Sequence, residues 1–149
     1  MTTSLCKELN LRYPIIQAPM AGVSTPELAA AVSNAGALGS LGLGASSAEE
    51  AARLIRQTQA LTRQPFNVNL FCHPPALRND AVEKAWIARF ADRFAALGAQ
   101  VPVNLEEIYP TFCGHEAVLQ VIEETRPAVV SFHFGLPPAD TLRRLKADR

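Results

Sequence analysis

Short apolar runs alternate with helical patterns along nearly the whole chain, and that order narrows the possible folds more than any other feature. The runs are Pro14–Gln17, Ala37–Gly42, Pro65–Phe71 and Ala128–Gly135. Between them lie segments with helix-start chemistry and apolar residues three or four apart. Strands that alternate with helices imply a parallel sheet with right-handed crossovers. Four such units are half of what a closed (β/α)8 barrel needs. The other closed answer, a small open flavodoxin-like sheet, carries a phosphate loop after its first strand. Here that loop is Ala18-Pro19-Met20-Ala21-Gly22, which lacks both GxGxxG and GxxxxGK. The expectation is therefore α/β, a TIM (β/α)8 barrel of which about the first four β/α units are present. Residues 1–149 then form a single incomplete domain, the N-terminal half of the barrel.

The local signals are specific. Pro14–Gly22 reads as a buried strand that ends in a loop of small residues, open to close approach by a flat ligand. Ser24 and Glu27 have capping-box spacing, with Pro26 in the first turn of a helix over 25–35 that stops at Gly36. Gly39 and Gly42 mark a strand on which something packs closely. Their spacing with Gly44 is wrong for a dinucleotide fingerprint. Ser46 or Ser47 caps a helix to about Ala60, whose buried face is Ala51, Leu54, Ile55 and Thr58. In 65–71, Val68 and Leu70 share one strand face and Asn67 and Asn69 the other, so the asparagines can point into a barrel mouth. Asp80 and Glu83 open a long helix to about Leu97. Its stripe of Val82, Trp86, Phe90, Phe94 and Leu97 reads as core. A long irregular connection follows, then a helix over 115–124, a fourth strand ending near His133, and a last helix to Arg149.

Hydrophobic residues are 48% and charged residues 19% of the chain, with a formal net charge of zero. A basic face for nucleic acid or an acidic membrane is not expected, and no apolar run is long enough to span a bilayer. The N-terminus does not read as a secretory signal. Cys6, Cys72 and Cys113 are far apart and odd in number, so neither a disulfide framework nor a metal site is expected, and a reducing, cytoplasmic setting is the simpler assumption.

His133 is the candidate for proton chemistry. It ends a strand where barrel active sites are built, and imidazole titrates near neutrality. It reads equally as a satisfied histidine in a strand cap. Asn69 offers a donor and an acceptor to a cofactor edge, or ties down local backbone. Met20 can cover a ring face or fill a core gap. Tyr109 and Phe112 sit in the long connection, where either could touch substrate or pack the loop.

Three segments carry a family resemblance: Tyr13-Pro14-Ile15-Ile16-Gln17-Ala18-Pro19-Met20-Ala21-Gly22, then Asn67-Val68-Asn69-Leu70, then Val130-Ser131-Phe132-His133-Phe134-Gly135. Together, in this order, they resemble nitronate monooxygenases, formerly called 2-nitropropane dioxygenases. The resemblance covers 5–146 and corresponds to the N-terminal part of the family's length. It implies a TIM barrel binding FMN non-covalently. It also implies oxidation of alkyl nitronates, such as propionate 3-nitronate, by O2 to a carbonyl compound and nitrite. By the same resemblance Ala18, Pro19, Met20 and Ala21 lie against the flavin, Asn69 hydrogen-bonds it, and His133 stands beside the substrate as base. The glycine-rich loops that hold the FMN phosphate in the family lie beyond Arg149. Two alternatives share the pattern: an FMN-dependent enoyl-acyl carrier protein reductase, and a half barrel without catalysis of its own that self-associates through unpaired edges.

Overall fold

A computed structural model describes residues 3–147. Three parallel strands, β1 (Gly39–Gly42), β2 (Phe66–Phe71) and β3 (Val129–His133), pair in the order β1-β2-β3. The helices are α1 (Ser4–Glu8), α2 (Pro26–Asn34), α3 (Ala48–Leu61), α4 (Asp80–Ala88), α5 (Ala91–Ala96), α6 (Glu116–Thr125) and α7 (Ala139–Ala147). The chain divides into two compact units, Met1–Pro74 with Tyr109–Arg149, and Pro75–Ile108.

In the larger unit the strand period of two separates the residues into faces. Leu41, Val68 and Leu70 turn to one face and are buried with Ala51 and Ile55 of α3 and with Val118, Leu119 and Ile122 of α6. The helices thus cover the apolar face of the sheet. The opposite face carries rows fixed by the register: Ser40 beside Asn67, Asn69 between Gly42 and Ser131, and Phe71 beside His133. Five of those seven residues are polar. At its N-terminal end this face is closed by Cys6 and Leu11, which bury Leu38, with Val129 packed alongside. No sequence signal had marked α1, whose five residues are capped by Thr3 accepting from Cys6 N.

The helices begin where their capping residues place them, with one shift. Thr25, not Ser24, caps α2 and accepts from Leu28 N, while Ser47 caps α3 and accepts from Glu50 N. Ser33, buried inside α2, accepts from Gly39 N at 3.1 Å and donates to Pro65 O at 2.9 Å. One hydroxyl therefore ties α2 to β1 and to the start of β2. Gly39 itself has no room for a side chain, since a Cβ there would lie 1.9 Å from Ala29 O.

The first expected strand is a correction. Pro14–Gln17 makes a single parallel bridge, Ile16 to Leu38, and Ile15 and Ile16 are 57% and 54% exposed. Leu38 N donates to Ile15 O and Gln17 N to Leu38 O. Pro19 holds the next donor position in register after Gln17 and has no N–H, so the backbone ladder stops there; on the other side Arg12 N and Tyr13 N both turn to Gly36 O instead.

The Pro75–Ile108 unit also departs from expectation. Its first helix begins at Asp80, as expected, with Asn79 as its cap, but the expected long helix is broken at Arg89–Phe90 into α4 and α5. Nothing in the local sequence explains the break. Arg78 forms a two-pronged ion pair with Glu83 and also donates to Leu105 O. The apolar stripe is not core here. Trp86 is 51% exposed, with Val82 and Leu97 more so, and it packs edge-on to Phe90 with Arg89 over its ring.

Candidate active site

The polar face of the sheet gathers the expected site residues at the C-terminal ends of the strands. Gln17 begins the construction. Its side-chain amide accepts from Ser40 N at 3.2 Å and donates to Ser40 O at 3.0 Å. A side chain thus makes the rung that the proline-bounded backbone cannot. The same amide donates to Ser24 Oγ, which accepts from Met20 N at 2.9 Å and donates to Ala18 O at 3.3 Å. Ser24 is therefore the knot of the loop rather than a helix cap. Gly22 completes the turn at φ +74°.

The loop rests on Gly42, where a Cβ would meet Ala21 N at 2.7 Å and Met20 C at 2.8 Å. Gly42 lies in the same row as Asn69 and Ser131. The backbone of Met20 and Ala21 thus lies over the β1 residue that pairs with Asn69, with Ala18 and Pro19 earlier in the same loop. Met20 and Ala18 are exposed, while Pro19 and Ala21 are half-buried.

Asn69 is 1% exposed, and both of its polar atoms have partners. Nδ2 donates to Ser131 Oγ at 2.9 Å, and Oδ1 lies 2.9 Å from His133 Nδ1. A carbonyl oxygen can only accept, so Nδ1 carries the proton. In the neutral imidazole that leaves Nε2 with the lone pair. His133, the last residue of β3, is exposed. Deeper on the face, Asn67 donates to Ser40 Oγ at 3.2 Å, and its Oδ1 is buried without a partner.

Aromatic rings border His133. Phe71 stands edge-on to it at 6.3 Å, Phe134 lies 6.0 Å from it, and Tyr109 lies 5.7 Å from Phe71. Phe134 holds φ +70°, a costly conformation for a bulky residue. The two loop aromatics weighed in the sequence part company. Tyr109 joins this group, whereas Phe112 is buried on the helix side and stacks on Phe132 at 5.9 Å. Gly44 accommodates the Phe71 ring, which a Cβ would meet at 2.5 Å. Gln17, Ser24, Ser131 and Phe71 were missed by sequence reasoning. Ser131 had a signal, since it stands two residues before His133 and so shares its face.

The family model described as nitronate monooxygenase matches residues 2–149. The chain belongs to the nitronate monooxygenase family. Among curated members, it is 56% identical over 138 residues to a nitronate monooxygenase of Paraburkholderia phytofirmans, covering 93% of this chain and 38% of that protein. It is 52% identical over 147 residues to one from Pseudomonas aeruginosa, covering 99% and 42%. Among solved structures, nitroalkane oxidase from Streptomyces ansochromogenes matches 97% of this family member and 40% of its own chain, at 35% identity and a TM-score of 0.80. FabK from Thermotoga maritima matches at 27% identity and a TM-score of 0.66, covering 99% and 35%. The chain thus spans about two fifths of the length of the curated relatives it matches.

Proposed function

We propose that this chain provides one wall of a nitronate-oxidising active site in a TIM barrel. Residues 1–149 would form the N-terminal half of that barrel domain. The reaction is oxidation of an alkyl nitronate, such as propionate 3-nitronate, by O2 to a carbonyl compound and nitrite, with FMN as cofactor. The observation that carries the reading is the Asn69–His133 pair, which leaves Nε2 of an exposed histidine free to act as a base.

The residues fit the ring of such a cofactor. The loop Ala18–Ala21 offers backbone and small side chains, with Met20 exposed for a ring face. Asn69, buried and bonded to Ser131 and His133, keeps one N–H and one lone pair, which a flavin edge would have to meet from the open side of the sheet face. FMN, when bound, supplies the electron transfer between substrate and O2. His133 would take the proton from the carbon bearing the nitro group, or donate to the nitronate oxygens once protonated. Asn69 would hold the imidazole in the tautomer that makes it a base. Phe71, Tyr109 and Phe134 would keep water from the apolar side of the substrate. A cytoplasmic location accords with the three free thiols.

Greater identity to nitronate monooxygenases than to FabK favours nitronate oxidation over nicotinamide-dependent reduction. The test is a steady-state assay of the FMN-loaded protein with propionate 3-nitronate, nitroethane and NADH in separate arms. Nitrite release from the nitronate without NADH consumption is expected. His133→Asn should lose turnover of the neutral nitroalkane, which needs deprotonation, more than turnover of the preformed nitronate. Equal loss on both would remove the base role, and NADH oxidation without nitrite would overturn the reading.

A further inference from the structure

We propose that Cys72 and Cys113 form a redox-sensitive thiol pair that closes to a disulfide when the protein meets a hydroperoxide. Both belong to the cluster beneath the sheet, Cys72 fully buried and Cys113 packed against it from the partly exposed side. Cys113 packs against the buried cluster that holds Cys72, near enough for each thiol to feel the other. The backbone holds them in register. Phe112 N donates to Phe71 O at 2.7 Å, so the residues that follow in each segment, Cys113 and Cys72, flank one hydrogen bond. Gly114, at φ +82° with open space around it, lets the Cys113 segment adjust toward the spacing that an S–S bond requires.

The two thiols are not equivalent. Burial first, and the neighbouring Cys113 second, push the Cys72 thiol up to about 12, which holds it protonated and poorly nucleophilic at neutral pH. Oxidation therefore begins at the more accessible Cys113. Its thiolate attacks the terminal peroxide oxygen. An S–O bond forms and the O–O bond breaks; the attacked oxygen stays on Cys113 as a sulfenic acid, and the other leaves with the two electrons, taking a proton from solvent to become water or an alcohol. Cys72 Sγ then attacks the sulfenic sulfur. The S–S bond forms, the S–O bond breaks, and water departs with the Cys72 proton. A dithiol reductant returns both thiols.

The bond would fasten the connection before α6 to the end of β2, where Cys72 N donates to His133 O at 2.9 Å. Any effect on turnover rests on the proposed function; the bond itself does not. Cys6 is an internal control, because it lies in the separate cluster under α1 with Thr3 Oγ1 donating to its sulfur.

The test treats the full chain with hydrogen peroxide, then denatures it and alkylates it with iodoacetamide before mass analysis. Of the three thiols, alkylation should fall to one. The non-reduced tryptic peptide Gln64–Arg78 should be joined to the peptide containing Cys113, and dithiothreitol should restore all three. Cys6→Ser should still lose two thiols. Three results would each overturn the proposal: all three thiols retained, a link that involves Cys6, or Cys113 carried to sulfinic acid while Cys72 remains alkylatable. None of them bears on nitronate turnover, so this failure and that of the proposed function are separable.

Discussion

Gly39 and Gly42 stand three residues apart on β1, and replacing each by alanine should have unequal consequences. A Cβ at Gly39 falls 1.5 Å short of the 3.4 Å of ordinary contact, against Ala29 O, with Ser33 Oγ at 2.8 Å as well. Those atoms sit in α2, which Ser33 already fastens to Gly39 N and Pro65 O. They cannot move without breaking that tie. A Cβ at Gly42 falls only 0.7 Å short, against Ala21 N, in a loop whose outer residues are exposed. The loop can lift. Overpacking costs about 1–3 kcal/mol and occasionally more, while loss of unfolded-chain freedom returns about 0.4–1 kcal/mol where the backbone tolerates alanine. Gly39→Ala should then cost about 3 kcal/mol or more, and Gly42→Ala about 1 kcal/mol, at the two ends of that range. Urea unfolding followed by circular dichroism measures both. Gly42→Ala carries a second signature. Lifting the loop strains the bond from Met20 N to Ser24 Oγ, so hydrogen exchange at Met20 should quicken while α3 amides stay unchanged. A Gly42→Ala cost that equals or exceeds that of Gly39→Ala refutes the reasoning, as does unchanged exchange at Met20.

Three further predictions rest on separate features. Asn69→Ala strands Ser131 Oγ and His133 Nδ1 together, so it should cost about 1–3 kcal/mol and let the His133 proton move to Nε2, which 15N shifts of the imidazole would register; an unmoved tautomer defeats the assignment. The Cys72 thiol is raised in the folded state, so between the unfolded thiol's value of about 8.5 and about 12 the folded chain holds more protons than the unfolded one, and stability must fall as pH rises through that window. Urea midpoints of the native protein should drop more steeply there than those of Cys72→Ala, and parallel curves would contradict the shift. Trp86, the chain's single tryptophan, should emit like an indole in water and be readily quenched by acrylamide; a blue-shifted, protected emission would mean its face is covered.

Much of the larger unit was legible because local chemistry and burial agree there. Ser47, one of the two serines expected there, caps α3, and Ala51, Ile55 and Thr58 are buried as their spacing implies, while Leu54 is only half-buried and Ala52 is buried as well. Asn67 and Asn69 turn away from Val68 and Leu70 because a strand has a period of two. The misreadings arose where one signal had two causes. Pro14–Gln17 looks buried because it is apolar, yet burial depends on neighbours, and the stretch makes one bridge, with Pro19 at the next donor position. The stripe through Trp86 has a helical period, but periodicity says which residues share a face, not what that face meets. Gln17 and Ser24 were hidden for another reason. Their bonds reach Ser40, Met20 and Ala18 through side chains, and polar residues in loops carry no mark of the partner they will find. The Asn69–His133 bond spans 64 residues and becomes readable only through the β2–β3 register.

The rows across the polar face also bear on how the chain reaches its native state. Gln17, Ser40, Asn69 and His133 come from four segments whose contacts close long loops, and each parallel pairing waits on the crossover before it. Helices such as α3 and α6 can flicker into place within microseconds from local interactions. The imidazole meets its amide only after β3 docks on β2. During refolding, far-ultraviolet ellipticity should therefore recover ahead of any signal from the His133 ring, and the chemistry of the chain is the last thing it acquires.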